Sequence, residues 1–125
     1  MKTNKVKQTA EYLPLTESSF YILLTLTKPL HGYGIMQEVE ALSKGAVTLG
    51  PGTLYGALTT MEKEKLVELA RVEGRRKVYL LTPKGAEVLL SQIERIEVML
   101  KNAKACAADT KKIIDDREEH HESES

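Results

Sequence analysis

Between Arg71 and Lys77 the chain places Arg71, Arg75, Arg76 and Lys77 against a single acidic residue, Glu73. Guanidinium and ammonium groups this dense neutralise phosphates or enter a narrow minor groove. Just upstream, Pro51 to Lys63 carries a second kind of chemistry. Laid out at 100° per residue, Leu54, Ala57, Leu58 and Met61 share one side. The other side carries Gly52, Gly56, Thr59, Thr60 and Lys63, flanked by Thr53 and Tyr55. A solvated face is usually rich in Glu and Lys. This one is small and hydroxyl-bearing, as suits a helix lying in a major groove. Catalytic chemistry has no comparable support. No nucleophile pairs with a base, no carboxylates cluster in an apolar setting, and Pro51-Gly52-Thr53 lacks the length and the lysine of a P-loop. No enzyme activity and no cofactor are expected.

These groups need a frame. Leu13-Pro14-Leu15 interrupts regular structure. Thr16 then offers an N-cap hydroxyl and Glu17 an N-terminal anion, which predicts a first helix to about Lys28 with Phe20, Leu23, Leu24 and Leu26 inward. Pro29 ends it. A second helix is expected from His31-Gly32-Tyr33-Gly34 through Ile35, Met36, Val39 and Leu42 to a stop at Gly45. Pro51 opens the third. Alternation in Val67-Glu68-Leu69-Ala70-Arg71 and in Val78-Tyr79-Leu80-Leu81 predicts a hairpin whose turn is Glu73-Gly74-Arg75-Arg76.

Thr82-Pro83 is the next helix start. Leu89, Ile93, Ile96, Leu100, Ala103, Ala107, Thr110 and Ile114 follow at spacings of four and three, a heptad seam. From Pro83 to Arg117 such a helix would be about 50 Å long, more apolar stripe than so small a domain can cover. We therefore expect it to pack on a second copy of the chain, with Leu89, Ile93, Ile96, Leu100 and Ala103 in the dimer contact. Val88, Leu90, Val98, Met99 and Ile113 widen the stripe toward a larger bundle.

The whole chain of 125 residues carries 18 Lys+Arg and 18 Asp+Glu. The balance is a cancellation: residues 1–105 hold 15 basic against 11 acidic side chains, and residues 106–125 hold 3 against 7. Four regions follow: a basic arm over 1–12 with Lys2, Lys5 and Lys7, a winged helix-turn-helix over 13–82, a dimerisation helix over 83–117, and a disordered acidic tail over 118–125. The fold class is thus mainly α with a small β-hairpin. No apolar run reaches the roughly 20 residues of a membrane span and no signal-peptide core follows Met1, so a cytoplasmic protein is expected. One cysteine, Cys106, allows no internal disulfide and reads as a small apolar residue on a helix. No metal site is expected. His31 reads as a structural or capping residue, and His120 and His121 lie beside tail glutamates without a ligand set.

His31-Gly32-Tyr33-Gly34-Ile35, Pro51-Gly52-Thr53-Leu54-Tyr55-Gly56-Ala57-Leu58, Met61 to Val67, and Arg76-Lys77-Val78-Tyr79-Leu80-Leu81-Thr82-Pro83-Lys84-Gly85 resemble, in order, the signatures of PadR-type transcriptional regulators. The resemblance covers Leu13 to Gly85 closely. The long helix is similar to that of the shorter subfamily, whose dimerisation region is one helix. It implies a homodimeric winged helix-turn-helix regulator, usually a repressor, on an inverted-repeat operator in double-stranded DNA. The implied DNA-binding residues are Thr53, Tyr55, Thr59 and Lys63 on the recognition helix, Arg75, Arg76 and Lys77 on the wing, and Tyr33 at the start of helix two. Two positions depart from the pattern: Lys65 stands where members commonly have glycine, and Gly56 where they commonly have proline. Some relatives hold flat aromatic drugs between tryptophans of the paired helices. This chain has no Trp and has Ile96 near that place, which leaves a small apolar effector between the long helix and helix one, or a regulator without effector. The competing reading is a winged helix used as a protein-interaction module without operator binding.

Overall fold

The structure, a computed structural model, describes residues 9–124. The arm lysines Lys2, Lys5 and Lys7 lie outside them. The described chain forms α1 (Glu17–Thr25), β1 (Leu30–His31), α2 (Gly32–Leu42), α3 (Pro51–Lys63), β2 (Val67–Glu73), β3 (Arg76–Leu81) and α4 (Pro83–Glu124). It divides into two compact units, one ending at Gln92 and the other beginning at Ile93, and α4 belongs to both.

The helix starts follow local chemistry. Thr16 caps α1 by accepting the Ser19 N–H at 3.1 Å. Pro51 occupies the first turn of α3, and Thr82 accepts the Gly85 N–H at 3.0 Å to open α4. Apolar periodicity then sets the core. Ile22, Leu23 and Leu26 from α1, Ile35 and Val39 from α2, and Leu54, Leu58 and Met61 from α3 are buried together with Leu66, Val67, Val78 and Tyr79. Phe20, Leu24 and Ala57, also expected inside, are only half-buried, as is Met36, and Leu42 is exposed.

Helix ends depart from the sequence reading. α1 stops at Thr25, whose hydroxyl donates to the Ile22 carbonyl at 2.8 Å. α2 stops at Leu42, and two residues with positive φ, Lys44 (52°) and Gly45 (81°), turn the chain. The end of α3 is the more informative. Lys65 takes φ 63°, its N–H bonds the Glu62 carbonyl at 3.0 Å, and the Leu66 N–H bonds that of Met61 at 2.8 Å. This is a Schellman closure, with buried Leu66 and Met61 supplying its apolar contact. Lysine therefore performs the turn that a glycine would make without strain, at a cost of about 1 kcal/mol.

The sheet is one strand larger than the hairpin read from the sequence. Its order is β1-β3-β2, all antiparallel. β1 is two residues long, pairing Leu30 with Tyr79 and His31 with Val78. The hairpin pairs Glu73 with Arg76, so its loop is only Gly74-Arg75. Gly74 has φ 62° while Arg75 is not among the positive-φ residues, the pattern of a type II′ turn. A register shift between Leu69 and Arg71 leaves Ala70 as an extra residue, a bulge that bends the wing.

α4 also begins deeper in the domain than expected. Val88, Leu89 and Gln92 are buried in the first unit, and the Leu15 N–H bonds Gln92 Oε1 at 2.8 Å. The first turns of α4, through Gln92, thus belong to the same compact unit as the sheet and α1 to α3. Leu89, at 4% exposure, serves its core. Leu89, read from the sequence as part of the dimer contact, is thus covered within its own unit: a seam of repeating apolar residues does not reveal where one partner hands over to another. Gly85 lets α4 start here, because a Cβ on it would overlap the Leu66 carbonyl oxygen. In the second unit, Leu100, Val98, Met99, Ile113 and Ile114 are exposed, as is Cys106. The backbone is helical through Glu124, where the sequence reading ended the helix at Arg117. No Pro or Gly follows Gly85 to break it.

Candidate nucleic-acid interface

α3 and the wing face each other across a concavity of about 510 Å³, within the first unit. Tyr33, Tyr55, Thr59, Arg75, Arg76 and Lys77 line it, joined by His31, Gly32 and Tyr79. Six of the eight residues singled out for DNA contact therefore meet in one place. Thr53 and Lys63 are exposed elsewhere on α3 and do not line it. Tyr33 is 67% exposed at the start of α2. Tyr55 lies so close to Gly32 that a Cβ there would overlap its hydroxyl, which makes that glycine a condition for the contact between α2 and α3.

The hydroxyl face of α3 is more constrained than its composition suggests. Thr59 Oγ1 donates to the Tyr55 carbonyl at 2.8 Å, and Thr60 Oγ1 to that of Gly56 at 3.2 Å. Each threonine has spent its proton on its own helix. What it offers outward is a methyl group and oxygen lone pairs, able to accept from a base amino group or touch a thymine methyl. It cannot donate to a phosphate in this rotamer. Gly52 and Gly56 leave the helix bare, since a Cβ on either would meet nothing within 4 Å.

The wing's charge is also redistributed. Arg71 Nε donates to Glu73 Oε1 at 2.6 Å, and His31 Nε2 lies 3.8 Å from Glu73 Oε2. The Arg71 guanidinium, by this hydrogen bond and its charge, holds the Glu73 carboxyl below its ordinary value against an opposing desolvation, with His31 and Arg76 adding lesser pulls in the same direction. Arg71 is thereby partly neutralised. Arg75, Arg76 and Lys77 form no ion pair with any described residue, so the tip keeps three cations outside any ion pair, Arg76 acting on Glu73 only through its charge. His31 occupies the N-cap position of α2, but its side chain makes no capping bond and turns to Glu73 instead.

A second concavity, of about 450 Å³, flanks α3 on its other side, between Gly56, Ala57 and Thr60 and the segment Glu11 to Ser19. It borders α1 but is not lined by α4, so it is not the space between α1 and the long helix considered for an effector. Lys84 borders the same region: its Nζ donates to the Tyr12 hydroxyl at 2.7 Å and to the Glu64 carbonyl at 3.0 Å, closing the C-terminal end of α3. Among the described residues no group of His, Cys, Asp or Glu could hold a metal ion. No helix among them is long and apolar enough to cross a membrane.

Comparison with known proteins agrees with this geometry. The chain is 46% identical over 61 residues to an uncharacterized 37.1 kDa protein in transposon TN4556 of Streptomyces fradiae. It is 32% identical over 75 residues to the transcriptional regulator YqjI of Escherichia coli K12. Those matches take in 49% and 60% of this chain but only 17% and 36% of the relatives, so it corresponds to a minor part of each. A PadR-like transcription factor structure from Bacteroides fragilis superposes with a TM-score of 0.58 at 27% identity, over 70% of this chain and 86% of that one. A PadR family regulator from Clostridium difficile shares the fold, with a TM-score of 0.62 at 24% identity, over 72% and 97%. The model of the transcriptional regulator PadR-like family matches residues 21–91, more than half of the sequence, and the chain belongs to that family.

Proposed function

We propose that this regulator is a homodimeric, sequence-specific DNA-binding repressor acting on an inverted-repeat operator. The observation that carries the reading is the convergence of Tyr33, Tyr55, Thr59, Arg75, Arg76 and Lys77 on one cleft between α3 and the wing. α3 enters a major groove, its bare, acceptor-bearing face against base edges, while the wing's three unpaired cations meet the backbone and the adjoining minor groove. Lys63, in the last turn of α3, reaches a flanking phosphate. Ile93, Ile96, Leu100 and Ala103 of α4 form the dimer contact. Two recognition helices then address successive major grooves, roughly 34 Å apart. A small-molecule effector that releases the operator fits the family pattern and is part of the proposal only at that level.

Use of the domain as a protein-interaction module is disfavoured by the cleft's charge, since it presents cations where an acidic wing would exclude DNA. Equilibrium titration of labelled duplexes in the presence of excess mixed-sequence DNA tests the reading. A subset of duplexes retained at least 1,000-fold more tightly, on the order of the usual specific-to-nonspecific ratio, supports it. Uniform weak binding to every duplex overturns it.

A further inference from the structure

The cleft between α3 and the wing is also lined by a tyrosine that the strand pattern marked only as a member of β3. Tyr79, on β3, is 5% exposed, and it lines the cleft. Buried hydroxyls are ordinarily hydrogen-bonded. That of Tyr79 has no hydrogen-bond partner among the described residues and is not fully enclosed, and the cleft is a concavity that Tyr79 lines. Burial above all, helped by the negative Glu62 and by Tyr55, pushes its ionisation above the ordinary 10.0. At neutral pH it is a protonated donor waiting for an acceptor.

Around that donor the cleft supplies more donors and positive potential. Gly32 and Tyr33, the first residues of the 11-residue α2, line it, and no side chain caps that helix end. Arg75, Arg76 and Lys77 stand on the wing side without ion pairs. Glu73 is occupied by Arg71 and His31, and Glu62 does not line the cleft. A ligand matched to this set has oxygens that only accept and carries negative charge, as a phosphate does. The shape then selects its source. A helix in the major groove and a hairpin in the adjoining minor groove straddle the one phosphodiester strand that separates them.

We propose that the Tyr79 hydroxyl, together with the uncapped N-terminus of α2, seats one DNA backbone phosphate in the cleft between the recognition helix and the wing. This rests on the DNA-binding reading above, and its test is arranged so that the two can fail separately. Because the hydroxyl has no intramolecular partner, Tyr79→Phe should leave the melting temperature unchanged. Affinity for a duplex already selected for binding should fall about tenfold per half-site, the loss typical of a hydrogen bond to a charged group, and so about a hundredfold for the dimer on an inverted repeat. The slope of log K against log salt should stay as in the wild type, since no charge is removed.

A series of duplexes with one neutral methylphosphonate linkage each gives a readout that does not depend on the variant's stability. One linkage should weaken the wild type more than it weakens Tyr79→Phe, which keeps only the α2 N-terminus and the wing cations against that phosphate. If the wild type binds no duplex, the DNA reading fails. If it binds and Tyr79→Phe binds equally well, or every linkage penalises both proteins alike, the phosphate seat is overturned while DNA binding stands. If low-millimolar inorganic phosphate displaces the duplex from the wild type but not from Tyr79→Phe, the site is one for free phosphate and the backbone assignment is overturned.

Discussion

Replacing Arg75 and Arg76 together with alanine should flatten the salt dependence of DNA binding by an amount that follows from the wing's charge pairing. Each cation that neutralises a phosphate contributes about 0.9 to the slope of log K against log salt. Arg75 and Arg76 have no ion-pair partner among the described residues, so each should count in full. Two wings per dimer make four lost contacts, a change of slope of about 3.6. Between 50 and 200 mM salt the wild type should therefore lose roughly two logarithmic units more affinity than the double variant. Arg71 is the internal control. Its Nε is already held by Glu73 at 2.6 Å, and Arg71→Ala should move the slope by less than about 0.5. Fluorescence anisotropy with a labelled duplex over that salt range measures all three. An unchanged slope in the double variant would refute the wing assignment. An equally large change in Arg71→Ala would refute the charge accounting.

Lys65→Gly should raise stability by about 1 kcal/mol, because it removes the left-handed strain at φ 63°; a melting temperature that stays or falls in differential scanning calorimetry contradicts this. Leu89→Ala should cost about 2–5 kcal/mol in urea unfolding, as for a core leucine. Leu100→Asp, at a position 51% exposed, should leave the winged-helix unit folded and shift sedimentation equilibrium toward monomer, and a persisting dimer would exclude that contact. The Glu73 carboxyl is held below its unfolded value of 4.5, so between the two values the unfolded chain binds more protons and stability rises with pH. The contribution is complete above the unfolded value and lost as pH falls through the folded one. Glu73→Gln should flatten the acid limb of a pH–stability profile, and an unaltered limb would place the titration elsewhere.

What the sequence made legible was local. Thr16, Pro51 and Thr82 announce helix starts because a cap or an N1 proline acts within three residues, and the hairpin turn is written in Gly74. Elements that exist only through tertiary partners stayed hidden. Leu30–His31 is too short to show alternation and is a strand only because β3 lies beside it. Lys65 carries no turn signal, yet the packing of Leu66 onto Met61 imposes one. Periodicity displayed the apolar stripe of α4 but not that its first member, Leu89, is covered by its own domain. In the cleft, the exposed cations and hydroxyls were readable from composition. Whether Arg71 was free depended on where Glu73 pointed, and Tyr79 borders the cleft only because β3 folds beside α3.

The central claim is that two copies of the α3-and-wing surface read DNA together. Selecting fragments of the source genome bound by the wild-type dimer, and sequencing them, tests it most directly. The account predicts an enriched inverted repeat whose half-site centres lie about one helical turn, 10–10.5 base pairs, apart. Enrichment of a single asymmetric site, or of no sequence at all, would contradict it.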